Sequence, residues 1–395
     1  MERLRTALRF GADAVYLGMR RMSLRNFAEN FSLDELHEAC AFAHDLHRRV
    51  YVTVNAFARD SQLADLPQLL TDIAAAGVDA LIVNDPGVLC IARETLPNMK
   101  LHLSTQANTM NSRSAAFWHA QGVSRIVLAR ELSFDEIRTI RENCPPELEI
   151  EIFTHGAMCV SYSGRCLLSN YINGRDSNRG ECAQPCRWTY EIRETGSSGP
   201  YFPIEQDDLG TYLLNARDLN LMPYLPEISA AGVHSLKIEG RMKSIYYVAG
   251  VVNAYRMALD LLREGKTCVP DTLLLELEKV SHRPFTRGFA AGDPGAEGQA
   301  PMSASYIQTH ELTAVVLEYD AVNGCALVEQ RNRFCYGDVL EILSPGDVNR
   351  SFGVMDMRSL DGDAITCAPH PQQQVYMSCP PVVPGDLLRR AMKNG

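Results

Sequence analysis

At 395 residues the chain exceeds one ordinary core. Its 46% apolar and 22% charged residues describe a globular protein with material for two domains, one of them large enough to be a barrel. A net charge of −10, from 38 basic and 48 acidic residues, excludes a protein held to nucleic acid by its overall charge, though not a local basic face.

No run of 18 apolar residues exists, and Met1-Glu2-Arg3-Leu4-Arg5 lacks the apolar core of a signal peptide, so a cytoplasmic protein is expected. The chain opens in a helical stretch, Glu2 to Phe10. Short β-branched runs then alternate with amphipathic stretches. The strand candidates are Ala14–Gly18, Val50–Asn55, Ala80–Asn84, Leu101–Gln106, Arg125–Ala129, Leu148–Phe153, Tyr212–Asn215 and Ser235–Glu239. Ser32-Leu33-Asp34-Glu35 and Ser133-Phe134-Asp135-Glu136 carry the capping-box signature of helix starts. Apolar strands alternating with helices predict a parallel sheet, and eight such units fit a TIM-like (β/α)8 barrel over residues 1–265, with an open doubly wound sheet as the alternative. Residues 154–210 break this rhythm as a Cys-rich insertion that includes a Gly/Ser-rich loop, Glu194 to Pro200. Residues 266–304 read as a linker. From 305 to 395 short alternating strands, Thr313–Tyr319, Cys325–Gln330, Val339–Ile342 and Ala364–Ala368, predict a small all-β barrel.

Each apolar run of the first domain gives way to a polar residue: Asn55, Asn84-Asp85, Gln106 to Asn108, Arg130-Glu131, His155, Asn215 with Arg217-Asp218, Glu239 to Arg241. In a barrel these lie on the C-terminal rim, where active sites are built. Singly each reads as a loop polar or a helix cap; their recurrence at one place points to a site.

Twelve cysteines without an export signal read as free thiols or metal ligands rather than disulfides. Eight are scattered (Cys40, Cys90, Cys144, Cys268, Cys325, Cys335, Cys367 and Cys379) and read as inert core residues. The other four, Cys159, Cys166, Cys182 and Cys186, fall within 28 residues, where even spreading places about one. Their spacing, Cys-x6-Cys-x15-Cys-x3-Cys, does not suit a zinc knuckle, and the absence of Cys-x-x-Cys argues against a thioredoxin-like site. Four thiolates on an irregular loop suit a 4Fe–4S cluster, with zinc or inert thiols as alternatives. Arg165, Arg175, Arg179 and Arg187 stand among them; they either offset cluster charge or clamp an anionic substrate.

Glu151 to Cys159, Ser163 to Ser169, Arg175, Asn178, Gly180 and Cys182-Ala-Gln-Pro-Cys186-Arg-Trp188 resemble the signature of the U-thirty-two family of collagenase-like peptidases. So do Gly11 to Gly18, Leu103 to Asn108, Asn215 to Leu219 and Ser235 to Arg241, and the resemblance runs from residue 1 to about 290. Ser23-Leu24-Arg25 and Glu149 to Phe153 are similar to the branch that acts on tRNA. The resemblance implies hydroxylation of RNA or ubiquinone precursors rather than proteolysis. It implies a 4Fe–4S cluster on Cys159, Cys166, Cys182 and Cys186. For this branch it implies 5-hydroxyuridine at the tRNA wobble position, in a pathway that depends on prephenate. It also implies a strand before the first helix, which this sequence lacks; with that strand the candidates number nine, and Tyr212–Asn215 is the weakest.

Peptidase chemistry needs an activated nucleophile or a metal-bound water, and the sequence offers neither His-Glu-x-x-His nor Gly-x-Ser-x-Gly; His155 near Cys159 is its one candidate pair. RNA hydroxylation fits better. Its expected catalytic residues are Glu239, Arg241 and His155, with Arg165, Arg187, Gln106 and Arg217 binding substrate; Arg165, Arg187 and Arg241 are the expected clamps of the dicarboxylate prephenate. An electron-donor protein and tRNA are the expected partners. Arg331, Arg333, Arg350, Arg389, Arg390 and Lys393 of the terminal domain are candidate tRNA contacts. A scaffold that only binds RNA is the remaining alternative.

Overall fold

The computed structural model describes residues 1–24, 30–159, 161–187, 206, 207, 210, 211, 216–294, 298 and 306–392. The loop Glu194 to Pro200 and the candidate strand Tyr212–Asn215 lie outside the described residues, as do Arg25, Trp188 and Lys393. The chain divides into two compact units. The first holds residues 13–242 and 283–306; the second holds residues 2–12, 243–282 and 307–395.

The first unit is a mixed α/β layer structure on a nine-stranded sheet. Strands β1 (Ala14–Gly18), β2 (Arg49–Val54), β3 (Ala80–Val83), β4 (Lys100–Leu103), β5 (Val123–Val127) and β6 (Glu149–Ala157) run parallel in sequence order. Helices Leu33–Asp45, Leu66–Ala75, Pro86–Thr95, Ser112–Ala120 and Phe134–Glu142 make the crossovers. Both capping boxes form: Ser32 with Glu35, and Ser133 with Glu136. Strand β3 is buried on all four residues, as expected of a parallel sheet covered on both faces.

The sheet departs from the expected closed eight-stranded barrel at its far edge. Strand β6 carries two partners. Its residues Glu151 to His155 ladder in parallel with β8 (Ser235–Ile238), and His155 to Ala157 ladder antiparallel with β7 (Asp218–Asn220). The short β9 (Phe285–Thr286) then pairs with β7. Among the described residues no ladder joins β8 to β1, so hydrogen bonding leaves a seam there. Side chains cross that seam instead: Lys237 Nζ stands 4.3 Å from the centroid of the Tyr16 ring, and the Tyr16 hydroxyl donates to Glu239 Oε2 at 3.2 Å. The bend of β6 at its change of partner needs Gly156. Its φ is +112°, and a Cβ there would stand 2.8 Å from the Glu239 carbonyl oxygen.

The second unit is built on an antiparallel seven-stranded sheet, open at both ends among the described residues rather than closed as the expected barrel. Its strands are β10 (His310–Asp320), β11 (Cys325–Gln330), β12 (Val339–Ser344), β13 (Asp347–Gly353), β14 (Met357–Arg358), β15 (Gln374–Ser378) and β16 (Leu387–Ala391). They lie in the order β13-β12-β16-β10-β11-β15-β14. Alternate residues of β10, β11, β12 and β15 point into one core with Phe334, Val354 and Met357. Helices Glu2–Arg9, Ile245–Arg263 and Asp271–Leu277 belong to this unit. Arg389, fully buried, bonds Glu276 at 2.7 Å and Glu341 at 2.9 Å, which ties the last of these helices to the sheet.

Cys335 and Cys367 correct the reading of the scattered cysteines as free: they sit opposite each other on a two-residue ladder and are joined in a disulfide. Their 32-residue separation carries no sequence signal of that pairing.

Candidate functional site

The inner face of the first unit follows from strand alternation. Tyr51, Ala80 and Ile82 pack there with Ala14 and Tyr16. Toward the strands' N-terminal ends this face is ionic. Glu151 lies between Lys237 Nζ at 3.0 Å and Arg125 Nη1 at 3.1 Å, and Arg125 also reaches Glu149 at 2.6 Å. Burial opposes the charge on Glu151, yet Lys237 and Arg125 outweigh it and hold its carboxyl down at about 2. His102 stands edge-on to Tyr51; burial, then the Arg125 charge, lowers its pKa to about 3, so it is neutral at physiological pH.

The C-terminal ends carry the expected rim. Glu239 accepts from Tyr16. The Arg241 guanidinium is engaged with its own chain: Nη1 donates to Ser23 Oγ at 3.0 Å and to the Leu24 carbonyl at 2.6 Å, and Nη2 donates to Asn30 Oδ1. It crosses Gly18, where any Cβ would collide with it. His155 is only 1% exposed, its ring tilted against Phe285 with centroids 5.4 Å apart, whereas Cys159 is exposed. Gln106 is buried with its Oε1 unanswered among the described residues. Arg217, half-buried, donates its backbone N–H to the Gly298 carbonyl at 3.2 Å.

The Cys-rich segment is tied to this rim. Asn108, held at φ +51°, donates to the Ser163 carbonyl at 2.9 Å; the Phe57 N–H donates to the Asn178 carbonyl at 3.3 Å; Arg179 reaches Gln62 Oε1 at 3.1 Å. Within the segment Ser177 and Asn178 both bond the Cys166 carbonyl, at 2.6 and 3.1 Å, and the Gln184 N–H donates to Cys182 Sγ at 3.4 Å. Arg165 is exposed. Arg187 ends a short turn, Pro185–Arg187, and its side chain lies outside the described residues. Cys159, Cys166, Cys182 and Cys186 all lie outside any disulfide and carry the donor chemistry that a thiolate-ligated cluster needs. They share one segment but not one coordination sphere: among the described residues no three His, Cys, Asp or Glu side chains converge as metal ligands.

The arginines of the second unit are mostly committed to carboxylates. Arg331 pairs with Glu2 and Glu329, Arg350 with Asp347, Arg389 with Glu276 and Glu341, and Arg390 with Glu311 and Asp338. They do not form the bare basic face that phosphate binding uses. No helix of the described residues is long and apolar enough to cross a membrane.

Residues 1–300 match the model of peptidase family U32, and residues 308–389 match that of its C-terminal domain. Among curated relatives, a "tRNA hydroxylation protein P1" of Bacillus subtilis is 37% identical over 99% of this chain and 92% of its own length. A "tRNA hydroxylation protein P" of Escherichia coli is 36% identical over 96% of this chain and 92% of its own length. A "23S rRNA 5-hydroxycytidine C2501 synthase" of Escherichia coli is 38% identical over 74% of this chain and 44% of its own length. With both family models matched in order along nearly the whole sequence, the chain belongs to peptidase family U32.

Proposed function

We propose that this protein is an RNA-modifying enzyme that hydroxylates a tRNA pyrimidine, forming 5-hydroxyuridine at the wobble position in a prephenate-dependent pathway. The observation that carries the reading is its similarity, over 99% of the chain, to a protein named for tRNA hydroxylation. A relative named for 5-hydroxycytidine in rRNA supports the same class of product. Substrate tRNA, the small dicarboxylate prephenate and an electron-donor protein are the partners of this reading.

Cys159, Cys166, Cys182 and Cys186 would hold the 4Fe–4S cluster, whose chemistry when bound is electron transfer or Lewis-acid polarisation. Glu239, hydrogen-bonded to Tyr16 at the rim, would accept or return a proton. Arg165, exposed on the tied-down segment, suits a carboxylate, with Arg187 beside Cys186 as its companion. Arg241 holds Ser23, Leu24 and Asn30 together and so acts by positioning the rim. In this reading His155, buried against Phe285, Gln106, buried in the turn after β4, and half-buried Arg217 would contact the pyrimidine.

Deleting the gene is expected to remove 5-hydroxyuridine derivatives from bulk tRNA, read by nucleoside mass spectrometry. Unchanged levels in a strain with no paralogue overturn the reading. Anaerobic purification is expected to give about four iron and four sulfide per chain, lost on Cys166→Ser. A peptidase would instead show peptide cleavage abolished by Cys159→Ala or His155→Ala. A scaffold would keep full modification in Glu239→Gln and Arg241→Ala.

A further inference from the structure

Strands β2, β3 and β4 run side by side with Val54, Val83 and Leu103 in register. The next residue on each, Asn55, Asn84 and Ser104, therefore stands at one level. Alternation from Ala80 and Ile82, which pack inward against Tyr51 and Tyr16, turns Asn84 to the same inner face. Asn55 Nδ2 reaches Ser104 Oγ at 3.5 Å across the end of β3, so Asn84 is bracketed by both. Asn84 is 5% exposed, and neither its Oδ1 nor its Nδ2 has a hydrogen-bond partner among the described residues. Its neighbour Asp85 turns away as a helix cap, its Oδ1 accepting from the Gly87 and Val88 N–H groups at 2.8 and 3.1 Å. Beside it, Gln106 Oε1 is likewise unanswered.

A buried carboxamide with a donor and an acceptor both unsatisfied is costly to a fold, and such a group in a native protein calls for a reason. We propose that Asn84, with Asn55, Ser104 and Gln106 around it, is the subsite that takes the hydrogen-bonding edge of the pyrimidine to be modified. This assignment rests on the RNA-modification reading above and names the group that reads the base.

The chemistry of the subsite selects the ligand. All four side chains are neutral, and three cations of the same unit are engaged elsewhere: Lys237 by Glu151, Arg130 by the Ala157 carbonyl at 2.8 Å, and Arg241 by Ser23 and Leu24. These four side chains themselves offer an anion no counter-charge. A carboxamide offers one donor beside one acceptor, which matches the O4 and N3–H of uracil. Turned over, the same amide matches N3 and N4–H of cytosine. Enzymes that act on a base read it outside the stack in this way, by its pairing edge in a closed pocket. Asn108 donates to the Ser163 carbonyl and a Cβ on Gly164 would stand 3.3 Å from Gln106, so the Cys-rich segment borders this subsite.

The test places the full-length protein in a bacterium lacking its own tRNA-hydroxylation genes. It reads 5-hydroxyuridine derivatives in bulk tRNA, together with the melting temperature of each purified protein. Failure of the wild-type protein to restore the modification sinks the function reading, and this assignment with it. Where the wild type restores it, Asn84→Leu is expected to lower the modification at least tenfold with a melting temperature equal to or above wild type, because it removes a buried unsatisfied group. Asn84→Asp, of nearly the same shape, keeps the acceptor for N3–H but turns a second acceptor on O4, and is expected to show a similar loss. Wild-type modification in Asn84→Leu overturns the assignment. So does a loss in both variants that merely follows a fall in melting temperature, which marks a structural role.

Discussion

The two ends of one inner face in the first unit obey opposite rules. Toward the N-terminal ends of the strands the buried charges answer one another: Glu151 is paired with Lys237 and Arg125, and Arg125 with Glu149 as well. Toward the C-terminal ends, Asn84, Gln106, Asn108 and Thr109 each keep at least one buried polar atom without a partner among the described residues. Both sets are polar groups out of water, so burial alone does not separate them. Satisfaction does. The paired end is finished as a fold and contributes rigidity; the unpaired end is complete only when something else supplies its hydrogen bonds. That division between a stabilising face and a binding face is the one expected of sheets whose active residues sit on the C-terminal rim.

The largest effect should come from breaking the finished end. Glu151→Ala leaves Lys237 and Arg125 as buried cations with no carboxylate between them. The expected cost is about 3–5 kcal/mol, read by denaturant unfolding of the full chain. A loss under about 1 kcal/mol would mean that water enters this end, and the contrast between the two ends would collapse. Arg389→Ala in the second unit leaves Glu276 and Glu341 to share Lys279, and is expected to cost about 3 kcal/mol, the low end of the same range.

Acid probes the same pairs without mutation. Lys237 and Arg125 hold the Glu151 carboxyl down at about 2 in the fold, and Glu341 is also held well below the usual carboxylate range: burial opposes its charge, but its bonds to His310 and Lys279 and the Arg389 charge prevail. Both folded pKa values lie below the unfolded carboxylate range of roughly 4.3. The stability they contribute is therefore present above that value and is lost as pH falls toward 2. Unfolding free energy measured from pH 6 to pH 2.5 should drop steeply below about pH 4.5. In Glu151→Gln that drop should be shallower, because one of the two titrating groups is gone.

Much of the frame was legible in the sequence. The runs Ala14–Gly18 and Cys325–Gln330 are strands with those same bounds, and Ser32 and Ser133 start their helices as their capping boxes indicate. Local signals sufficed because period and caps are local. What failed was long-range. Arg125, Glu151 and Lys237 were each visible inside an apolar run, but their pairing depends on the registers of β5, β6 and β8, which no single run encodes. The two-partner strand β6 was likewise hidden, since nothing near Ala157 announces Asp218 as its antiparallel neighbour. At the rim, Asn84 and Asp85 looked equivalent. The signal that separates them was present: Ala80 and Ile82 set the inward phase, which Asn84 keeps and Asp85 leaves. The Cys335–Cys367 bridge had no comparable clue.

Helix caps on the outer layer give an intermediate reference. Ser133→Ala removes the bond to the Glu136 N–H and should cost about 1 kcal/mol, in thermal or denaturant unfolding, with no change in tRNA modification. Such a variant separates stability from function on a surface that belongs to neither end of the inner face.

The smallest expected change in stability is the most informative about the unfinished end. Gln106→Leu exchanges a buried carboxamide, with Oε1 already unanswered, for an apolar side chain of similar volume. In the ionic end a polar-to-apolar exchange of this kind destroys partners; here it removes a desolvation cost that nothing in the chain offsets. Unfolding free energy should therefore stay within about 1 kcal/mol of wild type or rise, while tRNA modification falls. A loss of several kcal/mol would show that Gln106 is satisfied within the fold after all, and the two ends of the inner face would then follow one rule.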